Sequence, residues 1–335
     1  MEYRILGKTG LKISRLGFGG IPIQRIDAEG TKVLVHQMLE AGINYIDTAR
    51  GYTVSEEFLG YALEGIRDKF VIATKSMSRT KEAMAADIEI SLKNLRTDYI
   101  DLYQIHNATP EQLEQVMAPG GALEALQEAK AAGKIGHIGL TAHSLETFKL
   151  ALNLDWVETF MFPYNIVETQ AEKLIVECAK RNIGFIDMKP LAGGAIEDAT
   201  LALRYICAND AVTVVIPGMA EVRELEQNLA AVNDTAPITN EEKAAFLEVR
   251  NQLGTNFCRR CNYCQPCTAG INISGCFLFD GYLQRYGLGE WAKGRYDAMP
   301  KHAGDCIGCG ACEDRCPYNL PIRDMLKGVA QRFGK

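Results

Sequence analysis

The feature that most constrains this chain is an alternation repeated along its first two thirds. Short apolar, strand-like runs occur at Ser14–Gly20, Tyr45–Ala49, Phe70–Lys75, Ile100–His106, Ile135–Ala142, Val157–Tyr164, Gly184–Leu191 and Thr213–Pro217. Segments with helical periodicity lie between and after them, near 30–41, 55–65, 80–95, 111–132, 144–152, 168–181, 198–208 and 221–231. Eight strand–helix units over about 220 residues predict a (β/α)8 barrel, an α/β fold. An open, doubly wound sheet is the competing arrangement. It asks for a glycine-rich phosphate loop after the first strand, and LGFGGIPI has glycines without the G-x-G-x-x-G spacing. Residues 2–16 read as an amino-terminal hairpin turning at Gly7–Gly10, ahead of the barrel.

The 335 residues exceed one ordinary domain, and the cysteines show where a second begins. There are 11, and all but Cys178 and Cys207 lie after residue 257. Residues 1–236 are expected to form the barrel, 237–256 a helical linker and 257–335 a small cysteine-rich domain. Thr239 and Glu242 make a capping box at the start of the linker helix, expected over Thr239–Leu253. The net charge of −6, without a basic stripe, argues against a nucleic-acid partner. The start, MEYRILGKTG, has charges and no apolar core of a signal, and no apolar run is long enough for a bilayer. The expected place is the cytoplasm, with no membrane partner. There, so many cysteines point to metal or redox chemistry rather than disulfides.

Three of the strand-like runs end in ionisable residues. NYIDTARGY carries Asp47 and, in the next turn, Tyr52; FVIATK ends in Lys75; DYIDLYQIH ends in His106. Ser55 then opens a helix, with Glu56 and Glu57 in its first turn, where the helix dipole favours carboxylates. Asp47 and Tyr52 could merely cap a turn and pack on a helix. Titratable groups at the carboxyl ends of three parallel strands instead mark a site above a barrel. Their chemistry is complementary. Hydride reduction of a carbonyl builds negative charge on its oxygen, which needs a proton. A tyrosine near pKa 10 is too weak an acid until a lysine ammonium lowers that value. An aspartate keeps the lysine charged and aimed, and a histidine can orient the carbonyl oxygen.

DTARGYTVSEEFLG, with VIATK and DLYQIH, resembles the active-site signature of the aldo-keto reductases, along roughly the first 235 residues. The resemblance implies catalytic roles for Asp47, Tyr52, Lys75 and His106, with Tyr52 as general acid. It also implies an NAD(P)H cofactor and a small-molecule carbonyl or alcohol substrate. KPLAGG, with Pro190, Leu191 and Gly193, is similar to the loop that wraps the pyrophosphate. IPGMAEVRELEQNL is similar to the adenosine-end segment, with Gly218 and Arg223, and Asn228 at its helix end. Gly20, Thr141 and Met188 complete the cofactor contacts. The chain departs from better-known members in having Thr141-Ala142 for Ser-Asn, Met161 for Gln, and Met188 for a stacking ring. The basic pair that meets a 2′-phosphate is replaced by Gly218 and Glu224, with Arg223 one residue off.

CIGCGACEDRCP, from Cys306, is C-x2-C-x2-C-x3-C-P, the bacterial ferredoxin spacing for a [4Fe–4S] cluster. Its Pro317 is expected to end that loop. A zinc site would more often show two separated pairs. An earlier run, FCRRCNYCQPCTAG, supplies Cys258, Cys261, Cys264 and Cys267, one residue shorter before its fourth cysteine and with Thr268 where proline is common. With two runs, the fourth cysteines are expected to exchange. Cys258, Cys261, Cys264 and Cys316 would hold one cluster, and Cys306, Cys309, Cys312 and Cys267 the other. The segment 276–300 reads as helical, so the domain resembles the helical type of two-cluster ferredoxin found on a prokaryotic branch of this family. Cys276, Cys178 and Cys207 read as core residues.

The function these features imply is reversible hydride transfer in the barrel, with two 4Fe-4S clusters handling single electrons. The candidate partner for those electrons is an external carrier. No flavin motif is visible that would convert a hydride into single electrons. The alternatives are a nucleotide-binding barrel acting as a redox sensor or electron-transfer module, and a reductase whose clusters only stabilise a cap.

Overall fold

The computed structural model describes residues 1–253, 257–260, 264–285 (backbone only at 285), 287–316 and 319–335. The chain divides into two compact units, residues 1–191 with 198–239, and residues 192–197 with 240–335.

The first unit opens with β1 (Tyr3–Ile5) and β2 (Lys12–Ser14), an antiparallel pair around a short 3-10 turn at Gly7–Thr9. Eight parallel strands follow in simple sequential order: β3 (Phe18–Gly19), β4 (Tyr45–Asp47), β5 (Val71–Ser76), β6 (Ile100–Ile105), β7 (Ile135–Thr141), β8 (Thr159–Pro163), β9 (Gly184–Met188) and β10 (Val214–Ile216). The sheet closes on itself. Gly17 N donates to Val215 O at 2.9 Å, Val215 N to Arg15 O at 3.0 Å, and Gly19 N to Pro217 O at 2.9 Å. Parallel bridges at Leu16–Val215 and Gly19–Gly218 complete the seam. This closure selects the barrel over the open sheet.

Alternation along the strands sorts side chains into two cores. Inward-facing Tyr45, Ala73, Leu102, Met161, Ile186, Val214 and Ile216 fill the barrel, and the hairpin adds Leu6 and Ile13. Truncating one of these, such as Leu102→Ala, would cost about 2–5 kcal/mol. Outward-facing Ile72, Tyr103, Leu140, Phe160 and Phe185 pack instead under the helices.

Side-chain caps start several of the helices. Asp27 caps Ala28–Glu40, Thr80 caps Lys81–Asn94, Ser144 caps Leu145–Ala151 and Asp198 caps Ala199–Cys207, each accepting a backbone N–H in the first turn. The segment expected as one helix over 111–132 is two, Pro110–Met117 and Ala122–Ala131. The glycine pair breaks it. Gly120 has φ +76°, and a Cβ on Gly121 would lie 2.3 Å from Val116 O. The helix expected from 168 begins only at Glu172. Before it, Asn165 Oδ1 accepts from Val167 N at 3.0 Å and Glu168 N at 2.9 Å, holding a tight turn.

The second unit is helical among its described residues, with Asn240–Leu253, Ile273–Arg285, Gly289–Asp297, Ala311–Asp314 and Ile322–Phe333. Its core joins Ile271, Ile273, Phe277, Tyr296, Leu326 and Val329 to Cys264, Cys276, Cys312 and Cys316. The helical reading of 276–300 corresponds to two of these helices. No helix among the described residues is long and apolar enough to cross a membrane.

Candidate active site and cysteine centres

The carboxyl rim of the barrel brings the four strand-end residues together. Asp47 ends β4, Lys75 lies one residue from the end of β5, and His106 follows β6 directly. Tyr52 stands in the turn after β4, fixed by Tyr52 N donating to Ala49 O at 3.0 Å and Ser55 N to Tyr52 O at 2.8 Å. Lys75 and Asp47 are almost wholly enclosed, at 1% and 2% exposed, so their charges have each other rather than water. Lys75 Nζ donates to Asp47 Oδ1 and, at 2.8 Å, to Thr48 O. The ammonium also stands 5.0 Å from the centroid of the Tyr52 ring. Tyr52 meets His106 edge-on, with ring centroids 6.0 Å apart.

Burial drives the electrostatics. It raises the Asp47 pKa and lowers that of Lys75, while their mutual attraction opposes both shifts. His106 is held well below the ordinary histidine value by burial first, then by the positive charges of Lys75, Arg79 and Lys189. The imidazole is therefore neutral at pH 7, with one N–H to give. The residue keeps some solvent-accessible area, yet its Nδ1 is enclosed and finds no hydrogen-bond partner among the described residues.

Two supporting features are not apparent from the sequence. Gln104 Nε2 donates to Asp47 Oδ2 at 3.1 Å, so the carboxylate is held from both sides. The strand alternation Leu102, Gln104, His106 was the available signal, since it puts a buried amide on the inner face two residues before the histidine. The second is the helix after Tyr52. Ser55 opens it, as expected, without a side-chain cap bond; its hydroxyl binds Thr48 Oγ1 at 2.8 Å and Gly20 O at 2.9 Å. Glu56 lies in the first turn, as expected, and is buried there. It forms an ion pair with Arg50 and accepts from Thr74 Oγ1 and Ser91 Oγ, both at 2.8 Å. This network anchors the turn that carries Tyr52.

The candidate cofactor residues lie on the same rim, with exceptions. Thr141 ends β7, and its Oγ1 accepts from Asn107 N at 2.8 Å. Met188 ends β9 and stays half-buried beside the barrel core. Pro190 and Leu191 end the first stretch of the first unit, after Lys189, whose carbonyl accepts from Asn165 Nδ2 at 3.0 Å. Gly193 belongs to the second unit. Gly20 N donates to Asp47 O at 2.8 Å. Asn228, expected at a helix end, is mid-helix and buried, because the helix runs Val222–Asn233. A Cβ on Gly218 would come within 2.6 Å of Pro22 Cγ. Glu224 turns back on its own helix start, where its Oε2 accepts from Ala220 N at 2.6 Å and Glu221 N at 3.2 Å. Arg223 is exposed.

In the second unit, Cys267, Cys306, Cys309 and Cys312 line one cavity, so the fourth cysteine of the first run joins three of the second. Cys309 is exposed; its thiol sits below the ordinary value because the Ala311 N–H points at it. Cys264 and Cys316 are buried in the apolar core of this unit together with Cys312, and half-buried Cys258 packs against that core. Cys261 and Pro317 lie outside the described residues. Among the described residues no three His, Cys, Asp or Glu side chains converge on a single-ion position. A cubane cluster spreads its thiolates around a body several atoms wide instead of gathering them on one ion, and four cysteine ligands are the number it takes. Cys276 and Cys178 are fully buried, and Cys207 packs half-buried against the helical layer.

Comparison with known proteins agrees with both halves. The aldo/keto reductase family model matches residues 15–201, and that of a 4Fe-4S dicluster domain matches residues 257–320. L-galactose dehydrogenase of Arabidopsis thaliana is 28% identical over 308 residues, which covers 74% of this chain and 95% of that one. Among solved structures, the holo form of an aldo-keto reductase from Bacillus halodurans superposes with a TM-score of 0.65 at 26% identity, covering 74% of this chain and 96% of that one. A putative aldo-keto reductase of Pseudomonas aeruginosa gives 0.62 at 28%, covering 69% and 94%. The barrel with its rim of ionisable residues and the cysteine-lined second unit are thus those of an oxidoreductase with a 4Fe-4S domain, and the chain belongs to the aldo/keto reductase family.

Proposed function

We propose that the barrel, residues 1–236, reversibly transfers hydride between a nicotinamide cofactor and a small carbonyl or alcohol. In this reading residues 237–256 are a linker, and residues 257–335 hold two [4Fe–4S] clusters that exchange single electrons with an external carrier. The observation that carries the reading is the enclosed Lys75–Asp47 pair with the ammonium 5.0 Å from the Tyr52 ring.

A cation at that position favours the tyrosinate, so the Tyr52 hydroxyl becomes a stronger acid than a free tyrosine. Tyr52 gives its proton to the carbonyl oxygen as charge builds there. Neutral His106 donates an N–H to the same oxygen and orients it. Asp47, gripped by Lys75 and Gln104, fixes the ammonium in place. In the reverse direction Tyr52 takes the alcohol proton back. The rim suits a nicotinamide, since half-buried Met188 offers a soft sulfur face for a ring. When bound, the nicotinamide supplies or accepts the hydride at the substrate carbon. Glu224 covers the helix amides that would otherwise hold an anion, which suits a nucleotide without a 2′-phosphate. The two cysteine runs support the cluster reading and a reducing, cytoplasmic setting.

The test is single-turnover oxidation of NADH by a panel of aldehydes and ketones, followed by absorbance, in wild type and Tyr52→Phe. The phenylalanine ring keeps the packing and loses the proton. Turnover should fall about 10²–10⁴-fold with cofactor affinity close to unchanged. Near-normal turnover in the variant would remove Tyr52 from the acid role.

A further inference from the structure

The residue after the fourth cysteine differs between the two runs. Pro317 follows Cys316 and has no donor, whereas Thr268 follows Cys267 and carries a hydroxyl. That hydroxyl reaches the other run, with Thr268 Oγ1 lying 3.7 Å from Cys309 Sγ. Arg315 crosses between the runs as well. Its Nη1 donates to Gln265 O at 3.1 Å, its Nη2 to Pro266 O at 2.9 Å, and its Nε to Ala311 O at 2.9 Å. It straps the residues just before Cys267 to the helical turn that carries Cys312. Thr268 and Arg315 both line the cavity of Cys267, Cys306, Cys309 and Cys312.

We propose that Thr268 and Arg315 position and tune the second cluster, raising its reduction potential. The inference rests on the two-cluster reading above. A thiolate bound to iron carries no proton, so in the Thr268–Cys309 contact the hydroxyl is the donor. One-electron reduction by an external carrier, itself oxidised by one electron, adds one negative charge to the cluster and its four thiolates. A donor on one sulfur and a guanidinium at the cavity wall both favour the more negative state. The strap adds a geometric effect, because it holds the cysteine supplied by the first run at the distance the other three require.

The test uses the full chain, reconstituted anaerobically, with iron and sulfide analysis and a redox titration followed by electron paramagnetic resonance. In Thr268→Val, one of the two cluster signals should shift at least about threefold toward the oxidised form at a fixed potential. For one electron at 59 mV per tenfold this is about 28 mV downward. Thr268→Ser should restore it, Arg315→Gln should lower the same signal, and the other signal should stay in place. Valine leaving both signals unmoved, or moving both equally, overturns the proposal. If valine crowds the cavity and the cluster fails to assemble, Thr268→Ala is titrated instead: a downward shift of one signal supports the proposal, and no shift or an equal shift of both overturns it. Four irons in the wild type would instead overturn the two-cluster reading on which the inference rests.

Discussion

Lys75 Nζ has two oxygen partners, the Asp47 carboxylate and the Thr48 carbonyl at 2.8 Å, and both belong to the strand end that leads into the Tyr52 turn. The lysine therefore locks the turn to β5 as well as polarising the tyrosine. Lys75→Met would leave a buried carboxylate, still held by Gln104 but without its counter-charge. We expect a stability loss of about 3–5 kcal/mol, the usual consequence of orphaning one member of an enclosed pair. The double variant Lys75→Met/Asp47→Leu should lose less than the sum of the two single changes. Urea unfolding of the three variants checks this, and additive losses would mean that the pair is not energetically coupled.

His106 makes stability depend on pH with a definite sign. In the folded chain its pKa lies well below the ordinary value of 6.5, because of burial and then Lys75, Arg79 and Lys189. The unfolded chain titrates near that ordinary value, so below it the unfolded state binds a proton that the folded state refuses. The stabilising contribution is complete above about pH 6.5 and is lost as pH falls, by up to about 1.4 kcal/mol per unit for one proton. Comparing unfolding free energies at mildly alkaline and mildly acid pH should show a smaller difference in His106→Gln. An unchanged difference would assign the acid sensitivity to other groups.

Glu224 bears on nucleotide choice. Its carboxylate already takes the Ala220 and Glu221 amides, and a 2′-phosphate arriving there meets a negative charge instead of two donors. We expect a modest preference for NADH over NADPH. Glu224→Ala, which frees both amides, should improve NADPH binding more than NADH binding. Fluorescence titration of both nucleotides decides it. NADPH binding about tenfold tighter in the wild type, an advantage of about 1.4 kcal/mol that vanishes in Arg223→Ala, would show that the exposed arginine has taken over the phosphate.

The cysteine runs predict about eight irons per chain after anaerobic purification, in two [4Fe–4S] clusters. Replacing Cys267 with serine should compromise the cluster of Cys306, Cys309 and Cys312 and spare the other. Iron loss confined to the cluster served by the remainder of its own run would show that the fourth cysteines do not exchange.

The barrel was legible because a strand–helix alternation is a repeating physical signal, and its strand ends announce themselves when they carry Asp47, Lys75 and His106. Less legible was anything that depends on which way a short side chain turns. Ser55 opens its helix as the sequence suggests, but that its hydroxyl joins Gly20 and Thr48 could not be read there. Glu56 is the first-turn carboxylate the sequence suggests, but its role as the buried anchor for Arg50, Thr74 and Ser91 could not be read there. Both depend on neighbours distant in sequence. The Gly120–Gly121 break was written in the chain, yet the helical periodicity over 111–132 ran across it and hid the corner between two helices.

The seam between β3 and β10 has a consequence for biosynthesis. Residues 15–19 emerge early, but their partners at 215–218 are among the last residues of the barrel to leave the ribosome. Until then two parallel strand edges stand open, and contacts so remote in sequence form slowly. A chain ending before Val214 would keep both edges exposed and should aggregate. At about 5–20 residues per second, the cysteine runs follow only seconds later. The order of synthesis thus lets the barrel close before iron is needed.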